Sequence, residues 1–215
     1  MTPRVLRADD RKPAPWKNGG GVTSEVAAHP AGAGTDDFLW RISVANVERG
    51  GPFSTFPGVD RVITLVDGPG MELTVDEVAH RVDAPYEPFA FSGDAATECR
   101  LLGGPVVDFN VMVRRSAMSA RVRVVRTDTF VRPDPGTRVL AVVLDGTAVL
   151  RQGSVHLGRL DGILLPAEDA HRHLGQQQGQ GRDDVNRLDA GGEDGADFGV
   201  EGVLAIVDLV PLPGR

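Results

Sequence analysis

Short runs of alternating apolar and polar residues dominate this chain, and the three-to-four-residue spacing of a helix is scarce. Residues 38–47 show the pattern most clearly. Phe38, Trp40, Ile42 and Val44 fall on one face; Leu39, Arg41, Ser43, Ala45 and Val47 fall on the other. Side chains on a strand alternate sides, so each run offers one face to a core. Further strands are predicted at residues 22–28, 79–82, 89–91, 99–102, 106–113, 122–125, 139–144, 148–150, 163–165 and 203–210. Glycine (27) and proline (15) supply the turns between them, and together these features predict an all-β fold.

Two stretches read alike. Arg61-Val62-Ile63-Thr64-Leu65-Val66-Asp67-Gly68 is followed by a second apolar run at 71–75. Arg138-Val139-Leu140-Ala141-Val142-Val143-Leu144-Asp145-Gly146 is followed by one at 147–150. An Asp-Gly pair between apolar runs predicts a tight hairpin in each copy. Copies 77 to 78 residues apart are too distant for a solenoid and suit a duplicated small domain. Two similar fused β-barrels or sandwiches are expected, with Arg138 as the counterpart of Arg61. Residues 175–199 break the pattern: rich in Gly, Gln and Asp, they cannot bury enough surface to offset ordering and read as a flexible loop.

Polar residues interrupt the alternation at a few places. In Val106-Val107-Asp108-Phe109-Asn110-Val111-Met112-Val113, one face is the apolar stripe Val107, Phe109, Val111 and Val113; Asp108 and Asn110 share the other. One face must pack on a core, so the Asp108/Asn110 face looks at solvent or into a polar cavity. The same alternative holds for Arg41 and Ser43. If both faces look inward, one cavity holds Arg41, Asp108 and Asn110, with Arg61 near. Such a site suits an anion or an amide-bearing small acid, because a guanidinium grips a carboxylate with two hydrogen bonds. Trp16-Lys17-Asn18-Gly19-Gly20-Gly21 sets an amine and an amide beside three glycines without the order of a P-loop. In residues 51–61, Phe53 and Phe56 sit in a turn-rich segment that should fold back onto the barrel to bury them.

Composition removes several classes. A net charge of −7 argues against nucleic-acid binding and against an anionic membrane surface. No apolar stretch approaches a membrane span, and residues 1–11 do not resemble a signal peptide, so a cytoplasmic protein is expected. The single Cys99 rules out an internal disulfide and reads as a buried structural thiol. His171 and His173 have the spacing of strand metal ligands, but only His156 and Glu168 lie near enough in sequence to complete a set. No metal and no cofactor are expected.

Five motifs resemble the HutD/Ves family in order: residues 16–25, 38–45, 51–61, 91–94 and 108–115. The resemblance implies a double cupin, with an N-terminal cupin at 1–116 and a C-terminal one at 117–215 that carries the 175–199 insert. It implies association with histidine catabolism, commonly as an accessory or regulatory protein. Carried over residue by residue, the family pocket maps onto Arg41, Phe53, Ser54, Arg61, Asp108 and Asn110, and onto Lys17 and Asn18. Residues 162–171 resemble a second cupin motif, whereas the histidine-rich first motif is missing from both halves. Two functions follow. The first is a metal-free binding or sensing protein for a small carboxylate such as urocanate or formylglutamate, with a homodimer left open. The second is an isomerase or hydrolase that uses Asp108 as acid and base.

Overall fold

A computed structural model describes residues 3–165, 167 and 195–213. Among them there is no helix, and the chain is all-β. In the first half run β1 (Arg4–Leu6), β2 (Pro13–Pro15), β3 (Gly21–His29), β4 (Trp40–Val47), β5 (Gly51–Pro52) and β6 (Val59–Asp67). They are followed by β7 (Met71–Val75), β8 (Val78–Val82), β9 (Pro88–Ser92), β10 (Thr97–Leu101) and β11 (Val106–Arg114). In the second half run β12 (Met118–Val125), β13 (Thr129–Val131), β14 (Arg138–Leu150), β15 (Val155–Leu157), β16 (Gly162–Leu165) and β17 (Ala196–Pro211).

Three sheets result. A six-stranded sheet, β2-β3-β4-β11-β6-β9, faces a four-stranded sheet, β5-β10-β7-β8. Ala45, Val47, Ile63 and Leu65 of the first meet Met71, Leu73, Val82 and Cys99 of the second, closing one barrel. The remaining strands form a seven-stranded sheet, β1-β16-β14-β17-β12 with β13 and β15 on its flanks. Its interior is apolar: Val139, Ala141, Val143, Leu204 and Ile206 lie in one buried cluster. The N-terminal strand crosses over to join it, Val5 pairing with Ile163.

Alternation decides how the halves join. The back of the six-stranded sheet carries Trp40, Ile42, Val44, Phe109, Val111 and Val113, all buried against Leu140, Val142, Leu144 and Ala205 of the other half. The apolar stripes read from the sequence are therefore spent on the junction between the barrels. Their polar opposite faces point into the first barrel.

The hairpins predicted at the two Asp-Gly pairs do not form. β6 pairs with β11 and β9, while β7 pairs with β10 and β8, so Asp67-Gly68 turns a corner between two sheets. In the second copy β14 runs on through Asp145-Gly146, paired with β17 on both sides of a bulge at Val143/Asp145. The positive φ angles of Gly68 (95°) and Gly146 (71°) supply the bend that a hairpin would also have used. The strand partners, set by long-range packing, decide which structure the bend serves.

Two more expectations change. β17 begins at Ala196, so residues 196–199 of the expected 175–199 loop are strand, held by pairing of Phe198 with Leu150 and of Val131 with Ala196. Residues 175–194 lie outside the described residues. Aligning the two copies on their Asp-Gly pairs puts Val139, not Arg138, in the place of Arg61. A one-residue offset moves a strand side chain to the other face. Among the described residues no helix is long and apolar enough to cross a membrane.

Candidate ligand-binding cavity

The first barrel encloses a cavity of about 800 Å³, lined on one wall by the inward faces of β4, β11 and β6. Register fixes this wall. Asn110 pairs with Ser43 on one side and Ile63 on the other; Met112 pairs with Arg41 and Arg61. Residues directly opposite in a sheet share a face, so Arg41, Ser43, Arg61, Asp108 and Asn110 all project to the same side.

The rim comes from two loops. The turn between β2 and β3 presents Trp16, Lys17 and Asn18. It is tied by hydrogen bonds from Trp16 N to Gly21 O, from Gly19 N to Trp16 O, and from Gly20 N to Asn18 Oδ1 (2.9, 2.9 and 3.0 Å). Trp16 Nε1 donates to Thr23 Oγ1 at 2.7 Å, and its ring meets Phe53 edge-on at 6.2 Å. The β5–β6 loop presents Phe53, Ser54 and Phe56. It is anchored by hydrogen bonds from Phe53 N to Thr97 O, from Phe56 N to Gly93 O, and from Gly58 N to Asp94 Oδ1 (2.9, 2.7 and 2.8 Å). Arg115 locks this corner through Asp60, Asp94 and Ser92. All eight residues expected at a pocket thus surround one cavity; Lys17, Asn18 and Ser54 are exposed at its mouth.

Electrostatics single out two of them. Arg61 is 6% exposed. Its guanidinium lies over the rings of Phe91, Phe53 and Phe56, at 4.8, 5.4 and 5.6 Å from their centroids. Aromatic faces attract a cation but leave its N–H donors free. Arg61 Nε has no hydrogen-bond partner, and burial lowers the guanidinium pKa to about 10 despite the pull of Asp108. Asp108 is 1% exposed, and its Oδ1 is also unpartnered. Burial pushes its carboxyl up to about 7, against the opposing charge of Arg61. Among the described residues the two form no direct ion pair, whereas Arg41 Nε is held by Glu25 at 3.0 Å. Asn110 Oδ1 is a third buried, unpartnered atom on this wall.

The duplicated half shows what this costs. At the matching register, Leu204 faces Val143 and Ile206 faces Ala141, where Asp108 faces Leu65 and Asn110 faces Ile63. Val139 stands where Arg61 stands. One barrel fills these positions with apolar side chains; the other keeps an ionisable pair and an amide there, which is unfavourable for folding unless something else uses them.

Several residues escaped the sequence reading. Phe91 completes the cage under Arg61, and Met112 and Thr23 line the wall. Arg114 joins two loops over the mouth, donating to Asp36 O at 2.8 Å and Phe38 O at 3.3 Å in the β3–β4 loop and to Pro57 O at 3.5 Å in the β5–β6 loop. All four fall inside the motifs at 16–25, 91–94 and 108–115, but alternation alone assigns them no place at the cavity, and Arg114 acts through backbone carbonyls, a role that its side-chain pattern does not mark. Cys99 is a buried thiol beside Met71, its pKa pushed up to about 12 by burial. Among the described residues, no three His, Cys, Asp or Glu side chains converge as a metal site. His171, His173 and Glu168 lie outside the described residues.

Comparison with known proteins decides the family. The HutD family profile matches residues 8–181. The chain belongs to the HutD family. It is 45% identical over 120 residues to an uncharacterized 21.2 kDa protein in the hutC 3′ region of Pseudomonas putida, covering 56% of this chain and 63% of that one. It is 41% identical over 111 residues to the protein Ves of Citrobacter koseri, covering 51% and 56%. Both alignments span less than two thirds of the relative's length. The structure of HutD from Pseudomonas fluorescens SBW25 (formate condition) superposes with a TM-score of 0.78 at 30% identity, covering 99% of this chain and all of the other. The fold is accordingly a double cupin, two fused barrels of which the first holds the cavity.

Proposed function

We propose that this HutD-family chain is a cytoplasmic, metal-free binding protein that senses a small carboxylate from histidine utilisation, with urocanate and formylglutamate as the candidate ligands. The observation that carries the reading is Arg61: a buried guanidinium with an unpartnered Nε, aimed into a cavity and caged by three phenylalanines. A buried cation without an ion pair is costly, and an entering carboxylate would supply the missing partner. In this reading residues 1–116 bind, and the described residues of 117–215 brace the cavity from behind. The relative in the hutC 3′ region supports a link to that pathway.

The test is titration calorimetry of wild type, Arg61→Ala and Arg138→Ala with both acids. A charge-assisted contact contributes about 1.5–3 kcal/mol, or roughly a 10- to 150-fold change in affinity. Arg138 opens β14 and does not line the cavity, so its variant should bind like wild type. Equal affinities for wild type and Arg61→Ala would refute the role of Arg61.

A second reading, an isomerase or hydrolase, is favoured by Asp108 alone. A carboxyl with a pKa of about 7 is suited to give and take protons at neutral pH. Conversion of either acid by wild type but not by Asp108→Asn, followed by proton NMR, would establish it.

A further inference from the structure

We propose that the cavity takes up its anion together with one proton, which goes to Asp108. The inference rests on the binding role proposed for Arg61 and deepens it by assigning a pH dependence to the same site. Asp108 and Arg61 project from neighbouring strands into one cavity without touching as an ion pair, and an atom of each is buried and unpartnered. In the free protein the single guanidinium is the opposite charge nearest Asp108. A ligand carboxylate that docks on Arg61 brings a second negative charge into the same cavity. Two carboxylates sharing one cation there cannot both stay ionised cheaply, and Asp108, 1% exposed with an unpartnered Oδ1, is held away from water. Protonation removes the repulsion. It also turns an acceptor-only group into an O–H donor, which can be directed at an oxygen of the ligand. The proton comes from solvent, and no other bond is made or broken.

The surroundings leave Asp108 as the site of this proton. On β6 Leu65 lies opposite it, and Arg61, four residues along that strand, acts on it through space with a pKa lowered only to about 10. From β10 it is faced by Cys99, at about 12 and pushed up partly by Asp108 itself. On β4 Ala45 lies opposite it, and Arg41, level with Arg61, is tied to Glu25 of β3. Lys17, Asp36 and Arg114 stand at the mouth, and among the described residues no histidine lines the cavity. Asp108 itself starts from a carboxyl pushed up to about 7, and a further rise of about two units or more on binding keeps it protonated at about pH 8.5.

The experiment is calorimetry of formylglutamate binding in buffers of different ionisation enthalpy, from about pH 5.5 to about pH 8.5, since the ligand's own carboxyls stay ionised over most of this range. Proton uptake should approach one per ligand above about pH 8 and fade towards zero below about pH 6, with affinity falling about tenfold in total between these values and about tenfold per pH unit above about pH 8. Asp108→Asn should bind with little uptake and a flat pH profile, because the amide stands in for the protonated acid. Binding by wild type without uptake at about pH 8.5 overturns the proposal and leaves the role of Arg61 standing. Uptake that persists in Asp108→Asn overturns the assignment to Asp108. No binding of formylglutamate or urocanate at any pH overturns both.

Discussion

Replacing Asp108 by Asn should stabilise the free protein at alkaline pH and leave it nearly unchanged in acid. The carboxyl is buried and its pKa is raised from 3.8 to about 7. An acid of this kind binds more protons folded than unfolded between the two values. Its contribution to stability is therefore fully present below about pH 4 and is lost as pH rises through about 7. The shift of about three units corresponds to about 4 kcal/mol, at about 1.4 kcal/mol per unit. The attraction of Arg61 is already contained in that shift, since it acts to lower it. Asn has nearly the shape of the neutral acid and cannot ionise, so the variant should escape the loss. In a chain of this size about 4 kcal/mol corresponds to roughly 10 °C in Tm. Urea unfolding of wild type and variant at about pH 4.5, 6.5 and 8.5 measures the difference directly, because contributions from distant groups cancel between the two proteins. Curves that stay parallel across the whole range would refute the burial argument. A variant that weakens relative to wild type as pH rises would reverse its sign.

Arg61→Met should weaken carboxylate binding by roughly 10- to 150-fold yet unfold within about 1 kcal/mol of wild type near neutral pH, because an apolar chain of similar length replaces an unpaired buried charge; calorimetry beside urea unfolding checks both parts. Gly146→Ala should cost about 2 kcal/mol or more, since its φ of 71° is compounded by collision of the new Cβ with Glu201 O. Gly136→Ala, with a φ of 79° but open space around it, should cost clearly less in the same unfolding assay. Native Cys99 should resist a disulfide reagent at about pH 8 and react freely in denaturant. Rapid reaction of the folded protein would contradict its burial at 3% exposure.

What local sequence determines here is set by a period of two. Strand positions and the division of each strand into two faces follow from neighbours in the chain, so the stripe of Phe109, Val111 and Val113 and its opposite face of Asp108 and Asn110 were legible without coordinates. The five ordered motifs likewise marked the residues that come to surround the cavity. Whether a polar face looks into a cavity or at solvent is a different matter. It depends on what lies across from that face, and for β11 the answer comes from the four-stranded sheet on one side and from β14 and β17 on the other. The Asp-Gly pairs make the same point. Their local preference, a bend at a glycine with positive φ, is the same in a hairpin, a corner or a bulge, and only the partner strands choose among these. The contrast between Arg61 and Val139 also needed register, because a shift of one residue between the two copies would have exchanged an inward side chain for an outward one. Alternation is a property of the strand itself; inward and outward exist only once a barrel has closed.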